Sequence, residues 1–217
     1  MSTIQKYANL IKMLPVADQA FTVKASNWEK RLSENHYTEL FKGEKSICIS
    51  RQDIRNTNNP ELLILKTILW GYPKGMRGNN FENIYKQLDR LTEILAVTNT
   101  ATLKIDDVAV MQNQLSKIKG LGLSTYSKLL YFSDFRFGNI PALILDERLI
   151  RVFKNRIFKE FEPLSQVSLH NAGRMYKTYL QVMFEVSQLL NVNGENIEQF
   201  LFIFGNHLKP ANDLYKV

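Results

Sequence analysis

Cysteine is all but missing: the 217-residue chain has one, Cys48. Within one chain this excludes a disulfide framework, a four-thiolate zinc site and a cysteine-ligated iron–sulfur cluster. Histidine is scarce as well. His36, His170 and His207 lie far apart, and no spacing among them suggests a metal site, so no metal centre is expected. Each reads as a surface or satisfied core residue, with His170, ahead of Arg174 and Lys177, as a further phosphate candidate. No apolar stretch approaches the roughly 20 residues of a membrane helix. Met1-Ser2-Thr3-Ile4-Gln5-Lys6 has no signal-peptide pattern. Internal repeats and low-complexity linkers are missing too. A soluble, intracellular (cytoplasmic) protein without membrane attachment is the expectation. At 45% hydrophobic and 23% charged residues, the chain has enough apolar material for a sizeable core.

What is present is positive charge. The formal net charge is +7, which is compatible with a nucleic acid, an anionic membrane surface, or neither. Its distribution is uneven: residues 111–160 hold nine basic and four acidic side chains. Most of the excess therefore sits in under a quarter of the chain.

Nearly every periodic segment reads as helix. Phe81, Ile84, Tyr85, Leu88, Leu91, Ile94 and Leu95 recur at three- and four-residue spacing after Asn80. Met175, Tyr176, Tyr179, Leu180, Met183, Phe184 and Val186 do the same between about Ser168 and Leu190. Asn59-Pro60 has the form of an N-cap with proline at the first helical position, opening a helix to Trp70. Ser26 is placed to cap a helix carrying Trp28, Leu32, Leu40 and Phe41. The lone strand-like run, Ser46–Ser50, is too short and isolated to predict a sheet. Three loops stand out: Gly71–Gly78, Lys119–Gly122, and Ser133–Leu143 leading to Asp146. The fold class expected is all-α, without a sharp domain boundary.

The second loop is a hairpin. A helical pattern from about Asp106 to Lys117 stops at Lys119-Gly120-Leu121-Gly122, and another helix starts near Ser124. Two glycines around one apolar residue permit a tight reversal, with Leu121 as a plug between the helices. The turn leaves backbone N–H groups free at a helix start, which is an anion site, and Lys117 and Lys119 add charge there. Alone, Gly-Leu-Gly is equally a simple turn. Asp146 follows Gly122 by 24 residues, at the end of the apolar run Pro141-Ala142-Leu143-Ile144-Leu145 and before a basic amphipathic helix. It is placed to act as an N-cap, which also gives its carboxylate a defined position.

Ile118-Lys119-Gly120-Leu121-Gly122, the helix after it, and Ala142-Leu143-Ile144-Leu145-Asp146-Glu147-Arg148-Leu149-Ile150 resemble the helix-hairpin-helix DNA glycosylase superfamily, and most closely its compact 8-oxoguanine glycosylases. The resemblance is specific over residues 106–158. It implies a two-lobed helical fold with an active-site cleft between lobes, one glycosylase-like unit over 1–217, a hairpin at 106–133 and a catalytic-aspartate loop at 134–146. It implies base-excision repair on double-stranded DNA carrying a damaged base, foremost the oxidised purine 8-oxoguanine, by a monomer without an iron–sulfur cluster or other cofactor. Such enzymes flip the base into a pocket.

The site residues follow from the same resemblance. Ile118, Lys119, Gly120, Leu121, Gly122, Ser124 and Thr125 would hold the DNA backbone, with a monovalent cation at the carbonyls of Ile118 and Leu121. Asp146 would stabilise the oxocarbenium character of the sugar and assist deprotonation of the nucleophile. Bifunctional members carry a lysine two residues after the second hairpin glycine; this chain has Ser124 there, the monofunctional pattern, in which water attacks. Lys128 lies four residues on, on the same helix face. Among Tyr126, Leu129, Leu130, Tyr131 and Phe132, it reads either as an activated amine nucleophile with AP-lyase activity or as a snorkelling surface lysine. Lys74 and Arg77, beside Trp70 and Tyr72, read as DNA contacts or as a solvated linker. Trp70, Tyr72, Phe200 and Phe204 are base-pocket candidates, with core packing the competing reading for Trp70 and the phenylalanines. The helix after Asp146 carries Arg148, Arg151, Lys154 and Arg156 as a solvated or phosphate-facing side. Two competing functions remain at this level: a hairpin DNA-binding protein without chemistry, and a helical interaction module whose Gly-Leu-Gly is coincidental.

Overall fold

Helices dominate residues 1–99 and 103–208, which the computed structural model describes. In chain order they are α1 (Ala8–Lys12), α2 (Glu34–Phe41), α3 (Arg51–Arg55), α4 (Pro60–Gly71), α5 (Asn80–Tyr85), α6 (Leu88–Asn99), α7 (Val108–Ser116), α8 (Leu123–Phe132), α9 (Glu147–Lys154), α10 (Ala172–Leu190) and α11 (Gly194–Phe204), with short 3-10 turns between several of them. Two small antiparallel ribbons accompany them: β1 (Ala20–Lys24) with β2 (Ser46–Ser50), and β3 (Arg136–Phe137) with β4 (Ile140–Pro141). The class is all-α. The chain divides into two compact units: Met1–Val16, Thr102–Val110 and Arg136–Val217 form one, Ala17–Ala101 and Met111–Phe135 the other.

The second of these units is organised around α4. Asn59 caps it, Oδ1 accepting from Leu62 N at 3.0 Å, and Pro60 occupies the first turn, as the sequence predicts. Leu62, Ile64, Leu65, Ile68, Leu69 and Trp70 are all buried, so the helix is covered on most sides. α8 packs along it, as do α2, α3, α6 and both strands of the first ribbon. That ribbon corrects the reading of Ser46–Ser50 as a lone run. It pairs with Ala20–Lys24 in the register Phe21↔Ile49 and Val23↔Ile47, which puts the apolar side chains of both strands on one face. The helix expected from Ser26 is also corrected: Ala25–Asn27 is a 3-10 turn, and the α-helix starts at Glu34 with Ser33 as its cap. Trp28 and Leu32 are buried from turns instead. The helix expected after Asn80 is two helices, α5 and α6, interrupted at Lys86–Gln87.

Between β2 and α3 the chain turns through a capping box. Ser50 Oγ accepts from Asp53 N at 3.1 Å, and Asp53 Oδ2 accepts from Ser50 N at 2.8 Å and Oγ at 2.6 Å. These bonds from the Ser50 hydroxyl and amide hold the Asp53 carboxyl below its ordinary value of 3.8. The unfolded chain has the ordinary value, so this contribution is complete above about pH 4 and is lost as pH falls through the lowered folded value. Ser50→Ala is expected to cost about 1 kcal/mol, read as a lowered thermal midpoint at neutral pH.

The other unit centres on α10, which packs on α11, β4 and the 3-10 turn Lys159–Leu164. The predicted helix from Ser168 begins at Ala172, because residues up to Asn171 form turns. The expected loop from Ser133 to Leu143 contains the ribbon β3–β4, with Phe137 opposite Ile140.

Candidate active site

The hairpin forms at the predicted place. α7 ends at Ser116, Leu121 N donates to Ile118 O at 3.1 Å, and α8 starts at Leu123 with Gly122 in the N-cap position. Ile118 and Leu121 are buried, so their side chains plug the turn. Gly120 is required twice over. Its φ is +87°, and a Cβ there would stand 2.6 Å from the carbonyl oxygen and 3.0 Å from the Cα of Asn80. The hairpin thus lies directly on the backbone that starts α5, two residues past the glycine loop. Gly122 differs: it is exposed, with open space where a Cβ would project. No side chain caps α8, so its first turn presents backbone amides to that space. Backbone carbonyls of the Ile118 and Leu121 kind suit an alkali cation; the Ile118 oxygen, already accepting from Leu121 N, retains a second lone pair.

Thr125 is buried, its Oγ1 is bonded to Tyr72 OH at 2.8 Å, and its amide donates to Gly122 O. Its side chain is therefore a structural tie, a correction to its reading as a DNA contact. Ser124 is half-buried, while Lys117, Lys119, Lys74 and Arg77 are exposed. In the glycine loop, Gly75 N donates to Tyr72 O, Asn27 Nδ2 donates to Pro73 O, and Arg31 Nη1 donates to Met76 O. The loop is tied down at its backbone, and its two cations remain outward.

Lys128 is the distinctive side chain of the hairpin. It is only 5% exposed, whereas most lysines keep their charged head in water. Its Nζ donates to Ser124 O at 2.7 Å and to Ser124 Oγ at 2.9 Å. The same nitrogen lies 5.7 Å from the centre of the Tyr72 ring. The predicted i, i+4 relation to Ser124 is thus a direct contact, while the snorkelling alternative does not fit a buried amine. Tyr126 nearby in sequence is kept neutral: burial pushes its phenol up to about 12, with a bond from Gln112 acting against this.

In the other unit, Asp146 caps α9. Its Oδ1 accepts from Arg148 N at 2.9 Å and Leu149 N at 3.2 Å. The run ahead of it, Ala142 to Leu145, is buried. Tyr176 OH donates to Leu143 O at 2.8 Å, and Tyr179 OH donates to Ile144 O at 2.6 Å. The carboxylate is therefore held by its own cap, by an apolar run, and by two phenols one helical turn apart. Beyond it, Arg151 pairs with Glu147 at 3.2 Å, Arg156 with Glu162 at 3.4 Å, and Arg148 stacks on Phe202 at 4.7 Å. This basic side is in part neutralised by its own carboxylates. His170 and Arg174 are exposed, and Lys177 pairs with Asp106 at 2.5 Å.

Three of the pocket candidates are engaged elsewhere. Trp70 is buried, its Nε1 bonded to Gln19 O at 3.2 Å and its ring edge-on to Phe21 and Phe132. Phe200 is buried against Tyr7 and Phe158. Both are core residues and are not available to stack on a base. Tyr72 is half-buried, with its ring against the Lys128 amine. Phe204 is half-buried. Glu198 and Gln199 are two buried polar residues of α11. The Gln199 Oε1 is buried without a hydrogen-bond partner. The segment reads as an apolar helix end, and only the burial of two polar side chains inside it distinguishes them.

Among the described residues no helix is long and apolar enough to cross a membrane. No curated protein and no solved structure matched the chain. One family did, over residues 14–202, a span that contains the hairpin, Lys128 and Asp146. The chain belongs to that family, described as "Putative 8-oxoguanine DNA glycosylase OGG-like protein", and its function is accordingly DNA glycosylase-like.

Proposed function

We propose that this chain is a base-excision DNA glycosylase that removes an oxidised purine, 8-oxoguanine foremost, and that Lys128 is its nucleophile. The buried Lys128 amine on the hairpin's second helix, bonded to Ser124, is the observation that carries the reading; the family description supports the substrate. The amides at Gly122–Ser124 hold a backbone phosphate, while Lys74, Arg77, Lys117 and Lys119 contribute a salt-sensitive attraction to the duplex. A monovalent cation at the Ile118 and Leu121 carbonyls would add a positive charge for the same phosphate.

The damaged nucleotide is flipped out of the stack. Asp146 stabilises the positive charge that develops on the sugar as the C1′–N bond lengthens. The Lys128 nitrogen forms a bond to C1′ as the bond to the base breaks, and the electron pair leaves with the base. Loss of the amine proton and opening of the sugar then give an imine between Lys128 and C1′, from which elimination of the 3′ phosphate cuts the strand.

The test is base release from duplexes containing a single 8-oxoguanine, uracil or alkylated purine. Release is expected from the 8-oxoguanine duplex, ahead of the other two. Tight, salt-sensitive binding with no release from any duplex would instead identify a hairpin DNA-binding protein without chemistry.

A further inference from the structure

We propose that Gly71 and Tyr72 are positioning residues that seat the Lys128 amine, so that the end of α4 sets the reactivity of a residue on α8. The inference rests on Lys128 being the reacting amine. Two N–H bonds from Nζ to one residue, Ser124, at 2.7 and 2.9 Å, fix rotation about the last carbon–nitrogen bond. Ser124 alone leaves the four-carbon stem free to swing. Gly71 and Tyr72 restrain it.

A Cβ on Gly71 would lie 3.0 Å from Lys128 Cδ and 3.1 Å from Cε. That is tighter than nearly all side-chain contacts, so a methyl group on this end of α4 would press on the stem and oblige it to shift. The next residue, Tyr72, faces the head of the same side chain, with its ring centre 5.7 Å from Nζ. That ring is itself fixed, because its hydroxyl is bonded to Thr125 Oγ1 at 2.8 Å, one residue after Ser124. The lysine is thus bounded by Gly71 along its stem, Tyr72 at its head and Ser124 at its hydrogens. A displacement of the amine by about an ångström is enough to slow attack roughly 100-fold.

The experiment uses a duplex with one abasic site, so that base recognition drops out. The Lys128 amine adds to the C1′ aldehyde of the open sugar, water leaves, and borohydride hydride reduces the resulting imine to a stable secondary amine. Trapping rates are measured at saturating protein, alongside duplex affinity and thermal midpoint. Tyr72→Leu and Gly71→Ala are expected to slow trapping roughly 10- to 100-fold with affinity close to wild type; Tyr72→Leu also leaves the buried Thr125 hydroxyl unpaired and is expected to lower the midpoint, a loss that Tyr72→Phe shares. Tyr72→Phe, which keeps the ring and loses the tie to Thr125, is expected to fall between Tyr72→Leu and wild type. Wild-type rates in both Tyr72→Leu and Gly71→Ala overturn the inference. So does a loss of rate that follows a matching loss of affinity, or one that Tyr72→Phe reproduces in full with the same fall in midpoint, since that is what a merely structural role produces. No trapping by the wild-type protein, or trapping that persists in Lys128→Ala, overturns the underlying assignment of Lys128 instead.

Discussion

Asp146→Asn is expected to lower single-turnover base excision by roughly 100- to 1,000-fold, the usual effect of removing one preorganised charge-stabilising group. Binding to the same duplex should stay at wild-type affinity or rise. The substitution is selective for a physical reason. Asp146 Oδ1 accepts from Arg148 N and Leu149 N, and an asparagine carbonyl oxygen can keep both bonds, since Asn caps helices about as well as Asp. What disappears is the negative charge, the feature that opposes a positive charge on the sugar and repels phosphate. The loss of its interaction with the helix start costs only about 0.3–1 kcal/mol. Asp146→Ala removes cap and charge together, and a comparison of the two separates folding from chemistry. Excision by Asp146→Asn within about threefold of wild type contradicts a catalytic role for the carboxylate.

Gly120→Ala carries the second large effect, this time on the hairpin itself. At φ +87° an alanine pays the left-handed penalty of about 1–2 kcal/mol. Its Cβ would also meet the Asn80 backbone at 2.6 and 3.0 Å, and a backbone cannot swing aside as a side chain does. We expect a loss of stability exceeding the conformational penalty alone, together with a DNA affinity at least about tenfold weaker because the turn is displaced. Gly122→Ala is the matched contrast. Nothing stands within 4 Å of a Cβ there, and its φ is −84°. That variant should fold with a near-native midpoint yet bind duplex less tightly, since its methyl group enters the space assigned to phosphate. Equal midpoints for both variants contradict the assigned packing; equal affinities to wild type contradict the phosphate site.

Local signals were the legible ones. Asn59 and Asp146 show as caps because an N-cap is written in neighbouring residues, and the hairpin shows because Gly-apolar-Gly interrupts two periodic stretches. The i, i+4 relation of Ser124 and Lys128 is likewise a property of one helix. Pairings that depend on distant chain were hidden. The strand Ser46–Ser50 has its partner at Ala20–Lys24, and neither run announces the other. Tyr176 and Tyr179 read as core periodicity, while their hydroxyls hold the run before Asp146. Tyr72 reads as a loop aromatic for base stacking, although it is tied to Thr125 across 53 residues. Trp70 and Phe200 illustrate the reverse difficulty. An aromatic beside a basic loop or near a chain end looks functional until burial assigns it to the core.

In the proposed reaction the amine of Lys128 attacks the sugar. The most direct measurement is borohydride trapping on a duplex containing 8-oxoguanine, followed by digestion and mass identification of the cross-linked peptide. One covalent adduct is expected, on Lys128, absent from Lys128→Ala. An adduct on another lysine, or base release without any adduct, would contradict it.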